Sequence, residues 1–150
     1  MDKEMGKLDA KSIFHPKWWL IAVGAIFTII ALLTFMNGEE SAKTAWGDDY
    51  TANDVFYEKA WSSNVLWVAI IALASGFLIE GRALSIVAMA ISGGYVLSFI
   101  LQNLANGDLE SLDLSYGYLE PANAAPGLIA AAGLFLSGFL HLEEEYISDD

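Results

Sequence analysis

The sequence predicts an all-α integral membrane protein, a bundle of four transmembrane helices with its N- and C-termini on the same, cytoplasmic, side. Three observations predict it. Just over half of the 150 residues are apolar (55%), although the net charge is −12. The charges sit in short polar segments, separated by four uncharged stretches of about twenty residues, the length that crosses a roughly 30 Å hydrocarbon core. A soluble domain would instead intersperse its charges at helical or strand periods to keep one face wet.

The elements follow in order as a single domain. Residues 1–17 are polar, with Lys3, Lys7, Lys11 and Lys17 set among Asp2, Glu4 and Asp9. Pro16 suits a first helical turn, and Trp18 and Trp19 suit the headgroup level, so the first span is placed at 18–36. The run is longer than the apolar core of a signal peptide and no small-residue cleavage pattern follows it, so a retained span is expected. The second span is placed at 60–79 and the third at 83–101, with Glu80-Gly81-Arg82 between them. A single helix across both would project beyond the bilayer, so the charged triplet is a tight turn and the pair a helical hairpin, with Gly81 supplying the backbone freedom. The fourth span, 124–142, is entered through Pro121 and Pro126 and left through Glu143, Glu144 and Glu145.

Lysine and arginine placement sets orientation. Lys3, Lys7, Lys11, Lys17 and Arg82 fall on one side, and Lys43 and Lys59 on the other. The ends, 1–17 and 143–150, are therefore expected in the cytoplasm. The loops 37–59 and 102–123 face outward, each with a net charge of −4. An interfacial helix is expected from Asn53 to Ala60, running into the second span with Asn53 as its cap.

Several functions are excluded or disfavoured. The chain has no cysteine, which removes disulfides, thiolate nucleophiles and cysteine-bound metal centres. Its acidity argues against nucleic acid and against a polybasic lipid-docking surface. No Asp, Glu, Lys, Arg or His lies in the middle of a span, so no proton relay or substrate counter-ion is expected. No nucleophile–base pair or phosphate-binding loop is found, and the chain reads as non-enzymatic, with no cofactor.

The remaining candidates are few. Small residues at helix-packing spacing point to close helix contact, within the chain or with other chains; Gly76, Gly93, Gly94, Gly133 and Ser137 stand out. No metal is expected; His15 and His141, both at the cytoplasmic boundary and with Glu143, Glu144 and Glu145 beside the latter, are candidates for a divalent site. The acidic outer loops (Glu39, Glu40, Asp48, Asp49 and Asp54, then Asp108, Glu110, Asp113 and Glu120) show no EF-hand pattern and read as solvated surface rather than a calcium site. In the outer loops, Trp46, Tyr50, Phe56, Tyr57 and Trp61 accompany acidic residues. They fit either a membrane-interface belt or a protein-docking surface, and docking is the functional reading.

The spacing of the spans resembles that of the DoxX-like group of small bacterial four-helix membrane proteins. The likeness rests on the longer loop after Trp18–Met36 and the Glu80-Gly81-Arg82 turn. It extends to the end of the third span, Leu101-Gln102-Asn103-Leu104-Ala105-Asn106-Gly107, and to Glu120 before the fourth. The resemblance implies a link to quinone or respiratory chemistry and carries over no catalytic residue.

Two functions are carried forward. The first is a non-catalytic accessory subunit of a larger complex of a bacterial or archaeal cell membrane, respiratory or another oxidoreductase assembly, with other integral membrane subunits and the bilayer as partners. The alternative is an independent protein that binds a quinone or lipid-like ligand between its helices, in a cavity lined by Trp67, Phe77, Tyr95, Phe99 and Phe135.

Overall fold

The computed structural model describes residues 10–110 and 116–143. Among them every regular element is helical: α1 (Ala10–Ile13), α2 (Pro16–Met36), α3 (Gly38–Trp46), α4 (Ala52–Leu78), α5 (Gly81–Glu110) and α6 (Pro121–Leu140), with a 3₁₀ turn at Gly117–Leu119. Four of these, α2, α4, α5 and α6, are long and apolar enough to cross a membrane. By length and composition they fit an integral membrane protein.

The helix ends follow local chemistry. Pro16 occupies the first turn of α2, and the backbone N–H of Lys17 donates to His15 Nδ1 at 3.3 Å. Asn37 closes α2 through its N–H to the Leu33 carbonyl, and α3 starts one residue later. Gly47, at φ 84°, ends α3 in a backbone region that disfavours side chains. The helix expected from Asn53 begins instead at Ala52, capped by Thr51. Its hydroxyl accepts from the Asp54 N–H, and the Asp54 carboxylate accepts the Thr51 N–H at 2.7 Å. This reciprocal pair satisfies two free amides, where an Asn53 cap would satisfy one.

Two lengths differ from expectation. Hydropathy ends the third span at Leu101, but α5 runs on to Glu110. The added turns hold because polar side chains bond back along the helix: Gln102 Nε2 donates to Ser98 Oγ, and Asn103 Nδ2 to the Phe99 carbonyl. In α4, 27 residues span about 40 Å at 1.5 Å per residue, against a core of roughly 30 Å. The excess is the polar start, residues 52–59, which stands outside the apolar stretch that begins at Ala60.

Packing in the bundle is carried by small side chains. Gly24 of α2 faces Ala69 and Leu73 of α4, and Gly76 of α4 faces Ile21 and the Lys17 carbonyl. On the other side Gly138 of α6 meets Ser85 and Met89 of α5, and Ser92 Oγ donates to the Ala131 carbonyl at 2.7 Å. The result is two close pairs, α2 with α4 and α5 with α6. The expected turn between α4 and α5 is present, with Gly81 at φ 60°, yet the helices it joins each pack mainly on another partner. The shared core is Leu20, Ala72, Leu84, Ala88 and Leu134, while large residues such as Ile29, Phe77, Leu78 and Ile129 point outward. That inverted pattern is natural where lipid tails are as apolar as leucine, and close backbone approach supplies the association energy.

Candidate functional site: a buried carboxyl beneath an aromatic cap

The bundle has two chemically distinct ends. At one, α2 and α5 begin and α4 and α6 finish. At the other, α3, the polar start of α4 and the turn at Gly117–Leu119 form a cap. The cap centres on Glu58, whose side chain is completely buried (0% exposed).

Each partner of Glu58 is placed by a separate segment. Trp46, in the last turn of α3, donates its indole N–H to Glu58 Oε1 at 3.3 Å. Tyr116 donates its hydroxyl to the same oxygen at 3.2 Å and lies 3.5 Å from the other. Tyr116 is itself anchored, because its backbone N–H donates to Asn106 Oδ1 of α5 at 2.8 Å. The next residue must be glycine: a Cβ at Gly117 would collide with the Thr44 carbonyl oxygen of α3. Ring contacts close the arrangement, with Trp46 and Tyr116 centroids 5.0 Å apart, Tyr116 and Tyr118 5.6 Å apart, and Trp61 stacked on Tyr118 at 6.5 Å.

The electrostatics follow from this geometry. No lysine, arginine or histidine among the described residues forms an ion pair with Glu58. Burial pushes its carboxyl above the usual carboxylate range. The donors Tyr116 and Trp46 offset part of the rise, and the nearby Asp54 charge adds to it. Burial likewise raises the Tyr116 phenol far above its ordinary value, with the Glu58 charge acting in the same direction. Tyr118 is raised by burial as well. By contrast, exposed Asp48 is held below its usual value by its hydrogen bond and ion pair with Lys43, at 2.8 Å. Chemically, then, Glu58 is a protonatable group that fastens three segments together. It does not open into either cavity described below.

The sequence treats Glu58 only as one acid among six in the first outer loop. A signal was nevertheless there. The buried face of α4 reads Glu58, Ser62, Ala69, Ala72, Ser75 and Gly76, and extending that small-residue stripe backwards at helical spacing lands on the glutamate.

The expected docking residues divide. Phe56 and Tyr57 are exposed, Tyr50 is half-buried, and Trp46 and Trp61 are turned into the cap. Of the expected packing residues, Gly76 packs on Ile21, Gly133 on the Trp19 ring, and Ser137 is buried with its hydroxyl on the Leu134 carbonyl. Gly93 and Gly94 are exposed, and nothing lies within 4 Å of where their Cβ atoms would be. Gly24 and Gly138, not singled out in the sequence, make two of the closest helix contacts.

At the opposite end His15 and His141 come together, with ring centroids 5.1 Å apart. His141 is buried and its Nδ1–H donates to the Ser137 carbonyl at 2.9 Å, while its own carbonyl accepts from Ser85 Oγ at 3.0 Å. His15 thus helps join the start of α2 to the end of α6. Among the described residues no group of three or more metal-ligating side chains gathers there; Glu144 and Glu145 lie outside those residues. A cavity of about 310 Å³ opens beside the pair, lined by His15, Lys17, Glu80 and Leu84.

A second cleft, of about 300 Å³, lies between α2 and α4 beneath the cap, against Ala31, Phe35, Ser63 and Leu66. Neither space is lined by the five aromatics expected around a quinone-like ligand. Trp67, Phe77 and Phe135 are exposed, and Tyr95 makes an edge contact with Phe27 at 6.2 Å. No family model matches this chain, and no curated protein or solved structure is detectably similar to it.

Proposed function

We propose that the chain is a non-catalytic accessory subunit of a larger membrane complex, of the respiratory or another oxidoreductase type, in a bacterial or archaeal cell membrane. Its four long helices cross the bilayer with both ends in the cytoplasm, which places the Glu58 cap outside.

The observation that carries this reading is the glycine pair in the middle of α5. Gly24, Gly76, Gly133 and Gly138 each sit where another helix, or its side chain, presses close. Gly93 and Gly94 do not, having open space on their side. Each costs about 1 kcal/mol relative to alanine in a helix interior, and no contact among the described residues offsets it. A thin helix face in lipid is suited to a second helix approaching closely. The exposed Phe56 and Tyr57 add an aromatic docking edge beyond the membrane.

Gentle extraction from native membranes should recover the protein with stoichiometric partners. Gly93→Leu/Gly94→Leu should leave the isolated bundle folded while releasing those partners. A monodisperse 16.3 kDa species from native membranes, or a complex indifferent to both substitutions, would count against the proposal.

A further inference from the structure

Lys59 is held in an unusual position for a lysine in an acidic loop. Its stem lies across Gly38, at the junction of α2 and α3. A Cβ there would collide with the lysine Cε and come within 3.0 Å of its Cγ and 3.2 Å of its Cδ. The glycine therefore makes room for the stem. The ammonium ends 5.9 Å from the centre of the Phe35 ring, near the outer limit for a cation–π contact.

Six acids share its loop, yet among the described residues none forms an ion pair with Lys59. Those nearest in sequence are otherwise engaged: Glu58 faces Trp46 and Tyr116, and Asp54 caps its own helix with Thr51. Lys43, the other base of that loop, is paired with Asp48. Lys59 is thus a positioned cation with no anion from the described residues of its own chain.

The cleft of about 300 Å³ between α2 and α4 is lined by the residues next to Lys59, namely Phe35, Ser62 and Ser63. Ser62 and Ser63, one turn further along α4, line the cleft and donate their hydroxyls to the Lys59 carbonyl at 2.8 and 3.0 Å. Phe35, whose ring centre lies 5.9 Å from the ammonium, is also part of its wall, and the remaining lining is aliphatic. A positive head above an apolar groove, at the level where the polar start of α4 meets its apolar stretch, complements a negatively charged headgroup above an acyl chain.

We propose that Lys59 and this cleft hold one anionic phospholipid, its phosphate on the ammonium and an acyl chain along Ala31, Phe35 and Leu66. The net charge of the loops excludes a broad basic lipid-binding surface, and the proposal needs none. Hydrocarbon contact does not distinguish one lipid from another, so selection comes from headgroup charge. The phosphate of phosphatidylcholine is already balanced by its own choline ammonium, whereas an anionic headgroup leaves a net negative charge for Lys59 to meet. A basic residue at the membrane surface supports a preference of about fivefold.

The test is native mass spectrometry of the full chain in mild detergent with equal amounts of phosphatidylglycerol and phosphatidylcholine of identical chains. The unaltered protein should retain phosphatidylglycerol about fivefold over phosphatidylcholine. Lys59→Met, which keeps an unbranched apolar stem, should bring the ratio close to one, whereas Lys43→Met should leave it unchanged. Ser63→Trp, at an exposed position lining the cleft, should reduce bound phosphatidylglycerol with Lys59 intact. Thermal midpoints close to that of the unaltered chain verify that each variant is folded. Equal retention of the two lipids by the unaltered protein overturns the proposal, as does an unchanged ratio in folded Lys59→Met. Undiminished binding in Ser63→Trp overturns the assignment of the cleft.

Discussion

Removing the Tyr116 hydroxyl tests whether the cap is organised around a charge-bearing group. Tyr116→Phe keeps the ring packed between Trp46 and Tyr118 and deletes one of two donors to a carboxyl that is wholly buried. A hydrogen bond to a charged partner contributes about 1.5–3 kcal/mol, and one between neutral groups about 1 kcal/mol. At about 2–4 °C per kcal/mol for a chain of this size, a loss of about 2 kcal/mol lowers the unfolding midpoint by about 4–8 °C. The loss should be larger above the raised folded value of Glu58, where the carboxylate is charged and loses one of its two donors, than below it.

The accompanying pH dependence has a defined sign. Glu58 binds its proton more tightly in the folded protein than in the unfolded chain, because burial raises it above the usual 4.5. Its contribution to stability is therefore fully present below pH 4.5 and is lost as pH rises through the raised folded value. Glu58→Gln, whose amide oxygen still accepts from Trp46 and Tyr116, should remove that dependence. In that background Tyr116→Phe should cost only about 1 kcal/mol. Near-ultraviolet circular dichroism melts in mild detergent, at pH 4 and pH 8, measure the unaltered protein, both single variants and the double variant. An equal loss from Tyr116→Phe in the unaltered and Glu58→Gln backgrounds would be inconsistent with a charge at this position. So would a difference between the unaltered protein and Glu58→Gln that does not change with pH.

Three further outcomes are expected. Gly24→Ala should lower the midpoint by several degrees, because the new Cβ would lie 2.9 Å from the Ala69 carbonyl oxygen and the Leu73 nitrogen, both backbone atoms; overpacking of this kind costs about 1–3 kcal/mol. Gly93→Ala and Gly94→Ala should do the opposite in the isolated bundle, adding up to about 1 kcal/mol each, and the same melts distinguish the two classes of glycine. Thr51→Ala removes the hydroxyl half of the capping box at the start of α4, a loss of about 1 kcal/mol, and hydrogen exchange should rise at the amides of residues 52–55.

The four long helices were legible because hydrophobic length is a one-dimensional property. About twenty uncharged residues must satisfy their backbone groups internally when they lie in lipid, and a helix does so without reference to any other segment. Gly81 and Pro16 were legible for a similar reason, since each acts on the backbone where it stands. Segment lengths were less so: α5 passes Leu101 because Gln102 and Asn103 bond back to the preceding turn, a choice that polarity alone does not reveal.

Pairing was decided only in three dimensions. The short turn at Glu80–Gly81 suggests that α4 and α5 are mates, but Gly24 and Gly76 let α2 and α4 approach at backbone distance, and Ser92 and Gly138 do the same for α5 and α6. A glycine in a sequence does not say which helix it admits; Gly76 and Gly93 look alike until one is covered by Ile21 and the other by nothing. Glu58 makes the same point for chemistry. Its residue type and its place in a polar loop suggest a solvated acid, and its burial comes from Trp46, twelve residues earlier, and Tyr116, fifty-eight residues later. The sequence by itself determined that the chain forms membrane-length helices, because that depends on each segment alone. Which helices touch, and which carboxyl leaves water, was decided by the tertiary structure, because both depend on atoms brought together from distant parts of the chain.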